Sequence, residues 1–273
     1  MALLARVLAV ACVLGSGAAT GHEGIGKELA DLDDAIRARP TAAPLYVRRA
    51  ALERLRRNRA LAFDDLSVAA ELAPDDLELA YQRGLLLFEA GHLADGVRDL
   101  DRVLDRHPTR VRARDARARA HEQLGHSALA RRDFEEALLA QPTLDRFLAL
   151  GAFEERAGEP ALAAAWYERG VAMLGDASVL LLEAARVDVR LGRLELALAH
   201  LDRVAKGGGF LADLRLRRAD ILERMGRASE ARIEREAALA EVEEELVRRP
   251  SALRRLTRKR ALAALGQVDE AHM

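Results

Sequence analysis

Residues 77–108 read LELAYQRGLLLFEAGHLADGVRDLDRVLDRHP, and this stretch predicts the fold. Its first half places apolar residues at the spacing of one helix face, as in Leu77, Tyr81 and Leu85. Gly91 then separates this segment from a second one that ends in a proline, which cannot continue a helix. The stretch therefore predicts two short antiparallel helices joined by a tight turn.

The same punctuation returns along the chain with a period of about 34 residues. Prolines, turn glycines and small residues all keep this phase. They are Pro40, Pro74, Pro108 and Pro142; Gly91, Gly125, Gly158, Gly192 and Gly226; and Ala62, Gly96, Ala130, Ala163, Ala197 and Ala231. Such a period predicts a stack of identical helix pairs, because one pair alone buries too little apolar surface to fold.

This period and pattern resemble the tetratricopeptide repeat, a family whose repeats each contain an A helix and a B helix. The matching residues of repeats two and three are Gly84, Gly91, Gly96, Leu100, Val103 and Pro108, then Ala118, Gly125, Ala130, Phe134, Ala137 and Pro142. The resemblance covers about residues 43–245, as six repeats. Trp166 lies off the family's tryptophan position, repeat four is one residue short, and Gly209 replaces a closing proline.

The resemblance implies an all-α fold, a right-handed superhelical solenoid of antiparallel helix pairs. We expect residues 1–21 to be a signal peptide and residues 22–42 to form an N-terminal capping helix. Repeats one to five are then expected over 43–210, and residues 211–273 should hold repeat six, with an extended B helix, and a C-terminal capping helix. Three glycines at 207–209 predict a flexible joint or a wide turn between these last two segments.

The first 21 residues carry one positive charge, then an apolar stretch, then small residues, which is the order of a secretory signal. The apolar stretch is shorter than the roughly 20 residues that span a membrane. Cys12, the only cysteine of the chain, lies within this segment. Lipid attachment at Cys12 is the disfavoured alternative, because Ala9 stands where a lipidation signal has a large aliphatic residue. We expect an exported, periplasmic protein.

The composition argues for a protein or peptide partner and against nucleic acid. There are 43 basic and 44 acidic residues, and aromatic residues are only 4% of the chain. No global field attracts a nucleic acid, and few rings are available to stack on bases. No nucleophile elbow, phosphate loop or zinc helix is present, so we expect no cofactor, no metal and no enzyme. A hydrolase using Asp115, Glu122 and Glu155 across the groove is the weaker alternative.

Opposite charges recur at a fixed offset of 16 residues. Each of the first three repeats has an arginine in its A helix and an aspartate in its B helix, as Arg49 and Asp65, Arg83 and Asp99, and Arg117 and Asp133. Repeat six has Arg218 and Glu234, repeat four has Leu150 and Trp166, and repeat five has Ala184 and His200, which form no ion pair. The offset predicts a strut across each helix pair. A ladder of arginines that binds an anionic ligand is the alternative.

In the resembled fold, A-helix residues line a concave groove. Val47, Tyr81, Leu85 and Phe88 are candidates for a pocket that takes an apolar side chain, with arginines beside it for acidic groups. The candidate ligand-binding residues are Val47, Arg54, Tyr81, Leu85, Phe88, Arg119 and Arg186. The alternative is that the apolar residues only pack against the next helix.

The C-terminal region carries a basic run. We expect one long helix over 228–249 and a closing helix over 251–265 that holds Arg254, Arg255, Arg258, Lys259 and Arg260. These residues are expected to pair with the glutamates of the preceding helix. Weak contact with an anionic surface is the alternative.

Overall fold

A computed structural model of the chain describes residues 18–208 and 211–267. Within these two ranges the chain forms fourteen α-helices and no strand, so the predicted all-α class is confirmed. The predicted signal sequence lies largely outside the described residues, and so do Cys12 and Gly209. The expectations of export and of a flexible glycine joint therefore stay predictions.

The chain divides into two compact units, the first ending at Ala140 and the second beginning at Gln141. The helices of the first unit are α1 (Ala18–Ala38), α2 (Ala43–Leu55), α3 (Arg59–Leu72), α4 (Leu77–Ala90), α5 (Leu93–Arg106), α6 (Val111–Gln123) and α7 (Ser127–Ala140). Those of the second unit are α8 (Leu144–Arg156), α9 (Pro160–Leu174), α10 (Ser178–Leu191), α11 (Leu194–Lys206), α12 (Ala212–Arg224), α13 (Ala228–Arg248) and α14 (Ala252–Ala264). The long helix and the closing helix predicted near the C-terminus are confirmed to within one residue at each end.

In each unit, consecutive helices pair and the pairs stack in chain order. The pairs are α2–α3, α4–α5 and α6–α7 in the first unit, and α8–α9, α10–α11 and α12–α13 in the second. Within a unit each pair also packs on the next one, and α1 and α14 pack on α2 and α13 respectively. The predicted stack of antiparallel helix pairs is therefore confirmed inside both units.

Small residues allow the A and B helices of a repeat to approach closely. A methyl group at Gly96 of α5 would lie 3.0 Å from the carbonyl oxygen of Gly84 of α4. At Gly151 of α8 it would lie 2.2 Å from Cε1 of Tyr167 of α9, a ring that is itself fully buried. The small residues that mark the period in the sequence thus occupy the contact between the two helices of each pair.

Glycine also ends the A helices. Gly91 has a φ of +86° and Gly192 a φ of +75°, in the left-handed region that side chains disfavour. At the first of these turns the backbone N–H of His92 donates to the carbonyl of Leu87 over 2.9 Å, which bonds a carbonyl at the helix end. Arg57 occupies the same place in repeat one, with a φ of +62°. The 34-residue glycine period therefore records a turn that must reverse the chain.

The apolar core lies between successive helix pairs. Leu79 and Leu86 of α4 pack in one cluster with Leu66 of α3, which belongs to the preceding pair. On the other side, Leu100 and Val103 of α5 pack with alanines of α6 in the following pair. The second helix pair thus depends on both of its neighbours for the burial of its leucines.

The predicted ion-pair struts are confirmed. Arg83 donates two hydrogen bonds to Asp99, of 2.6 and 2.7 Å, and the struts of repeats one and three are bidentate in the same way. All three aspartates are buried. In repeat six, Arg218 donates to Glu234 over 3.0 Å. Because each arginine is held by its own acid, these residues do not form a free ladder for an anionic ligand.

Substitution of Gly151 by alanine tests the close approach. We expect Gly151→Ala to destabilise the protein by about 1–3 kcal/mol, because the added methyl overlaps a buried tyrosine ring that has no room to move. Gly24→Ala is the matched control, since no atom lies within 4 Å of a methyl at this helical glycine. The control should stabilise slightly, as alanine favours helix. Thermal unfolding followed by circular dichroism compares them, and equal melting of Gly151→Ala and wild type would contradict the packing described.

Candidate functional site

The apolar candidates of the first unit lie largely in its interior. Val47 is 3% exposed and packs in the cluster of α3 and α4 leucines, whereas Tyr81 is 8% exposed and packs in the next cluster, with Leu85 at its edge. Phe88 is half-buried. The structure therefore divides these residues between two packing clusters, which favours the alternative that they pack against neighbouring helices.

The face of the Tyr81 ring is also covered by a cation. The guanidinium carbon of Arg110 lies 3.8 Å from the ring centroid, and the same arginine forms a 2.5 Å ion pair with Glu78. Burial raises the pKa of Tyr81 above its ordinary value. The hydroxyl therefore stays protonated at neutral pH, and the ring face is not open to a ligand.

The two arginines expected beside that pocket differ in their surroundings. Arg54 forms a 2.5 Å ion pair with Glu89. Arg119 is exposed, and its side chain has no ion pair within the part of the chain that the structure describes. A shallow groove of about 270 Å³ between α2 and α4 is lined by Val47 but by none of the other candidates. The first unit thus offers one free cation and one small groove.

The second unit contains a larger cleft, of about 310 Å³, between the A helices α10 and α12. Five apolar residues form its floor, and three arginines and one aspartate line the rest. They are Leu182, Ala185, Val189, Leu201 and Ile221, with Arg186, Arg217, Arg224 and Asp220. Arg186 is the single sequence-predicted site residue that lines this cleft.

Arg186 is held in place by an acid network. It donates to Glu155 of α8, once over 2.9 Å, and to Glu183 over 2.8 Å, while Arg190 also donates to Glu155 over 2.6 Å. Burial raises the pKa of Glu155, but hydrogen bonds and charge from the two arginines outweigh it, so the pKa lies below its ordinary value. Glu155 is therefore ionised at neutral pH and is unsuited to act as a general acid.

The other two arginines lie on α12. Arg217 pairs with Asp213 over 2.9 Å and is exposed. Arg224 is also exposed and donates to the carbonyl of Val189 over 3.2 Å, so its guanidinium lies where the two A helices meet. An apolar floor with cationic walls is suited to a ligand that carries an apolar group beside acidic groups.

The helix arrangement is similar to that of solved tetratricopeptide repeat structures. The C-terminal part of a repeat-containing protein from Cytophaga hutchinsonii matches with a TM-score of 0.67 and 16% identity, over 90% of this chain and 96% of that one. A tetratricopeptide repeat protein from Parabacteroides merdae matches with a TM-score of 0.54 and 16% identity, over 89% and 94%. This chain has the tetratricopeptide-repeat fold.

PilW, a type IV pilus biogenesis factor, is also similar, with a TM-score of 0.58 and 19% identity over 68% of this chain and 86% of that one. At these identities the likeness concerns the fold alone. No protein-family model and no curated protein matches the sequence.

The C-terminal end of the tetratricopeptide stack holds the basic run. Arg254 pairs with Glu245 over 3.2 Å, Arg258 pairs with Glu243 over 3.1 Å, and Arg260 pairs with an aspartate of α12. The prediction of internal pairing is confirmed for these three residues. None of the helices in the described ranges is long and apolar enough to cross a membrane.

Repeat five contains an ion contact that the sequence analysis missed. His200 of α11 occupies the place of the strut aspartate, and its Nε2 lies 3.3 Å from Oδ2 of Asp188. Asp188 lies on α10, one helical turn after Ala184, the residue opposite which His200 was expected. The signal was the acid four residues along the same helix face. The strut of repeat five is thus shifted and reversed in polarity rather than absent.

The pKa of Glu155 predicts how a variant depends on pH. A carboxyl group whose pKa is lowered in the folded state stabilises that state above its ordinary pKa, and this stabilisation is lost as the pH falls through the folded-state pKa. We therefore expect Glu155→Gln to reduce the free energy of unfolding by about 1–3 kcal/mol at pH 7. The deficit should shrink below about pH 4.

Urea denaturation between pH 3 and pH 8 measures this difference. Glu71→Gln, at an exposed glutamate of α3, is the control and should match wild type throughout. A deficit of Glu155→Gln that stays constant across this pH range would refute the electrostatic role assigned to the carboxylate.

Proposed function

We propose that this protein is a non-catalytic scaffold, exported to the cell envelope, that binds a peptide or protein partner in the groove formed by its A helices. The observation that carries the proposal is the cleft between α10 and α12, with its apolar floor and cationic walls. Export is supported by the N-terminal sequence pattern.

The floor of the cleft suits the apolar side chain of a partner. Leu182, Val189 and Ile221 line it, and an apolar anchor buried in such a depression is the usual centre of a protein interface. Its volume of about 310 Å³ lies at the lower end of ligand pockets, so it suits one side chain or a short segment rather than a folded domain.

The walls of the cleft suit acidic groups on either side of that anchor. Arg186 is preset by Glu155 and Glu183 and loses little side-chain freedom on binding. Arg217 and Arg224 are exposed, and guanidinium groups bind carboxylates in bidentate geometry. We therefore propose an extended segment with an apolar residue between acidic residues as the ligand.

The first unit has a smaller part in this proposal. Arg119, the exposed cation, is proposed to bind a further acidic group of the same partner. Val47, Tyr81, Leu85 and Phe88 set the spacing of the A helices in that unit, and the ion pair of Arg54 with Glu89 makes it a weaker ligand-binding candidate.

A second candidate function is that of a structural subunit in an envelope assembly. The observation that favours it is a group of exposed apolar residues near the C-terminal end, where Val247 is 87% exposed and Leu253 is 70% exposed. Apolar residues that are exposed together are a common feature of permanent interfaces. The hydrolase alternative is weakened, since Glu155 is committed to two arginines.

Charge reversal in the cleft tests the proposed function. The full-length protein is used as bait on envelope extract, and captured proteins are quantified by mass spectrometry. We expect Arg217→Glu to reduce capture of the main partner at least tenfold, because about 1.4 kcal/mol of binding energy corresponds to that factor. Arg232→Glu is the matched control, since Arg232 also forms an exposed pair with a glutamate four residues away but lies on α13 outside the cleft.

The outcomes separate the two candidate functions. Loss of capture in Arg217→Glu with retention in Arg232→Glu supports the cleft. Equal capture by all three proteins excludes it, and loss of capture in Val247→Asp instead supports the structural subunit.

A further inference from the structure

Three side chains with metal-binding atoms converge in the second unit, away from the cleft residues. Glu168 of α9, Asp188 of α10 and His200 of α11 each contribute one donor atom, and these atoms lie within 4.8 Å of one another. Each residue comes from a different helix, and two of the helices belong to repeat five. The group lies where the other repeats carry an arginine–aspartate strut.

The distances agree with a metal centre. His200 Nε2 lies 3.3 Å from Oδ2 of Asp188 and 3.8 Å from Oε1 of Glu168. Nitrogen and oxygen ligands about 2.0–2.2 Å from a tetrahedral zinc ion are about 3.3–3.6 Å from each other. The first distance already fits, and the second needs only a small rotation of Glu168, whose side chain is 45% exposed and free to adjust.

The buried members of the group have no hydrogen bonds. Asp188 is 0% exposed and His200 is buried, yet neither carboxylate oxygen and neither ring nitrogen has a hydrogen-bond partner in the described ranges. The 3.3 Å contact between them is not aligned as a hydrogen bond. Buried polar groups in folded proteins are nearly always bonded to a donor, acceptor, water or ion. By contrast, the strut aspartate Asp99 accepts two hydrogen bonds.

The charges around the group leave a cation only partly replaced. Arg193 Nη1 lies 3.6 Å from Oδ1 of Asp188, so it acts on the oxygen that faces away from His200. Burial raises the pKa of Asp188 above its ordinary value. Two carboxylates and one exposed arginine therefore leave negative charge next to the imidazole. The position of Arg193 is that of an outer-shell partner which orients a ligating carboxylate.

We propose that Glu168, Asp188 and His200 form a binding site for a divalent transition-metal ion of the zinc type. An imidazole with two carboxylates favours zinc over calcium or magnesium, which prefer oxygen ligands alone. The exposed side of Glu168 leaves room for water as the remaining ligand. A bound ion would link α9, α10 and α11, and would replace the strut that repeat five lacks. This inference does not depend on the proposed function of the cleft.

Metal titration of the full-length protein, made without a histidine tag and stripped with a chelator, tests this proposal. Calorimetry with zinc chloride at pH 7.5 should give one equivalent bound with a Kd of about 10 μM or tighter. Cobalt(II) at the same site should give the visible absorption of tetrahedral coordination. Zinc should also raise the melting temperature.

Variants assign the site. Glu168→Gln is the safest variant because the side chain is exposed, and Asp188→Asn and His200→Ala remove the other two ligands. Each should weaken zinc binding at least tenfold. Glu195→Gln, at an exposed glutamate of α11, and His92→Ala, at an exposed histidine of the first unit, are the controls and should bind as wild type.

Two results would overturn the proposal. One is a wild-type Kd weaker than about 1 mM. The other is zinc binding that is unchanged in both Glu168→Gln and Asp188→Asn. Either result leaves His200 and Asp188 as a plain ion contact that substitutes for the strut.

Discussion

The close approach of the two helices within each repeat constrains everything else in this protein. At Gly84 against Gly96, and at Gly151 against Tyr167, there is no room for one additional carbon atom. Helices packed this closely make a flat pair with apolar residues on both faces, so the neighbouring pairs must cover them. The same stacking places A helices side by side, and the cleft between α10 and α12 follows from it.

The repeat architecture could be predicted from the sequence because it is written several times in phase. The struts followed from the constant 16-residue offset, and Arg83 and Asp99 do form the predicted bidentate pair. The groove was harder. Helical spacing shows that Val47 and Tyr81 lie on an apolar face, but it does not distinguish a face toward solvent from one toward the next helix. That distinction depends on how each pair is rotated against its neighbour, which the sequence pattern does not specify.

Charge pairing explains why the second unit, rather than the first, holds the better candidate cleft. Most arginines that pack between helices have an acid of their own, as Arg54 has Glu89, so few cations remain for a ligand. The cleft keeps exposed arginines next to an apolar floor. Repeat five departs from the strut pattern, and its buried Asp188 and His200 are the polar groups for which a metal ion would supply the missing partner. The sequence pattern could not reveal this, since the residues come from three helices.

The central claim is that one helix pair cannot fold without its neighbours, and a peptide of residues 77–106, spanning α4 and α5, tests it directly. Its leucines lose both covering partners when the chain is cut there. Circular dichroism should show weak helicity that declines gradually on heating. A sigmoidal thermal transition, with helicity close to that of the same residues in the whole protein, would contradict the account.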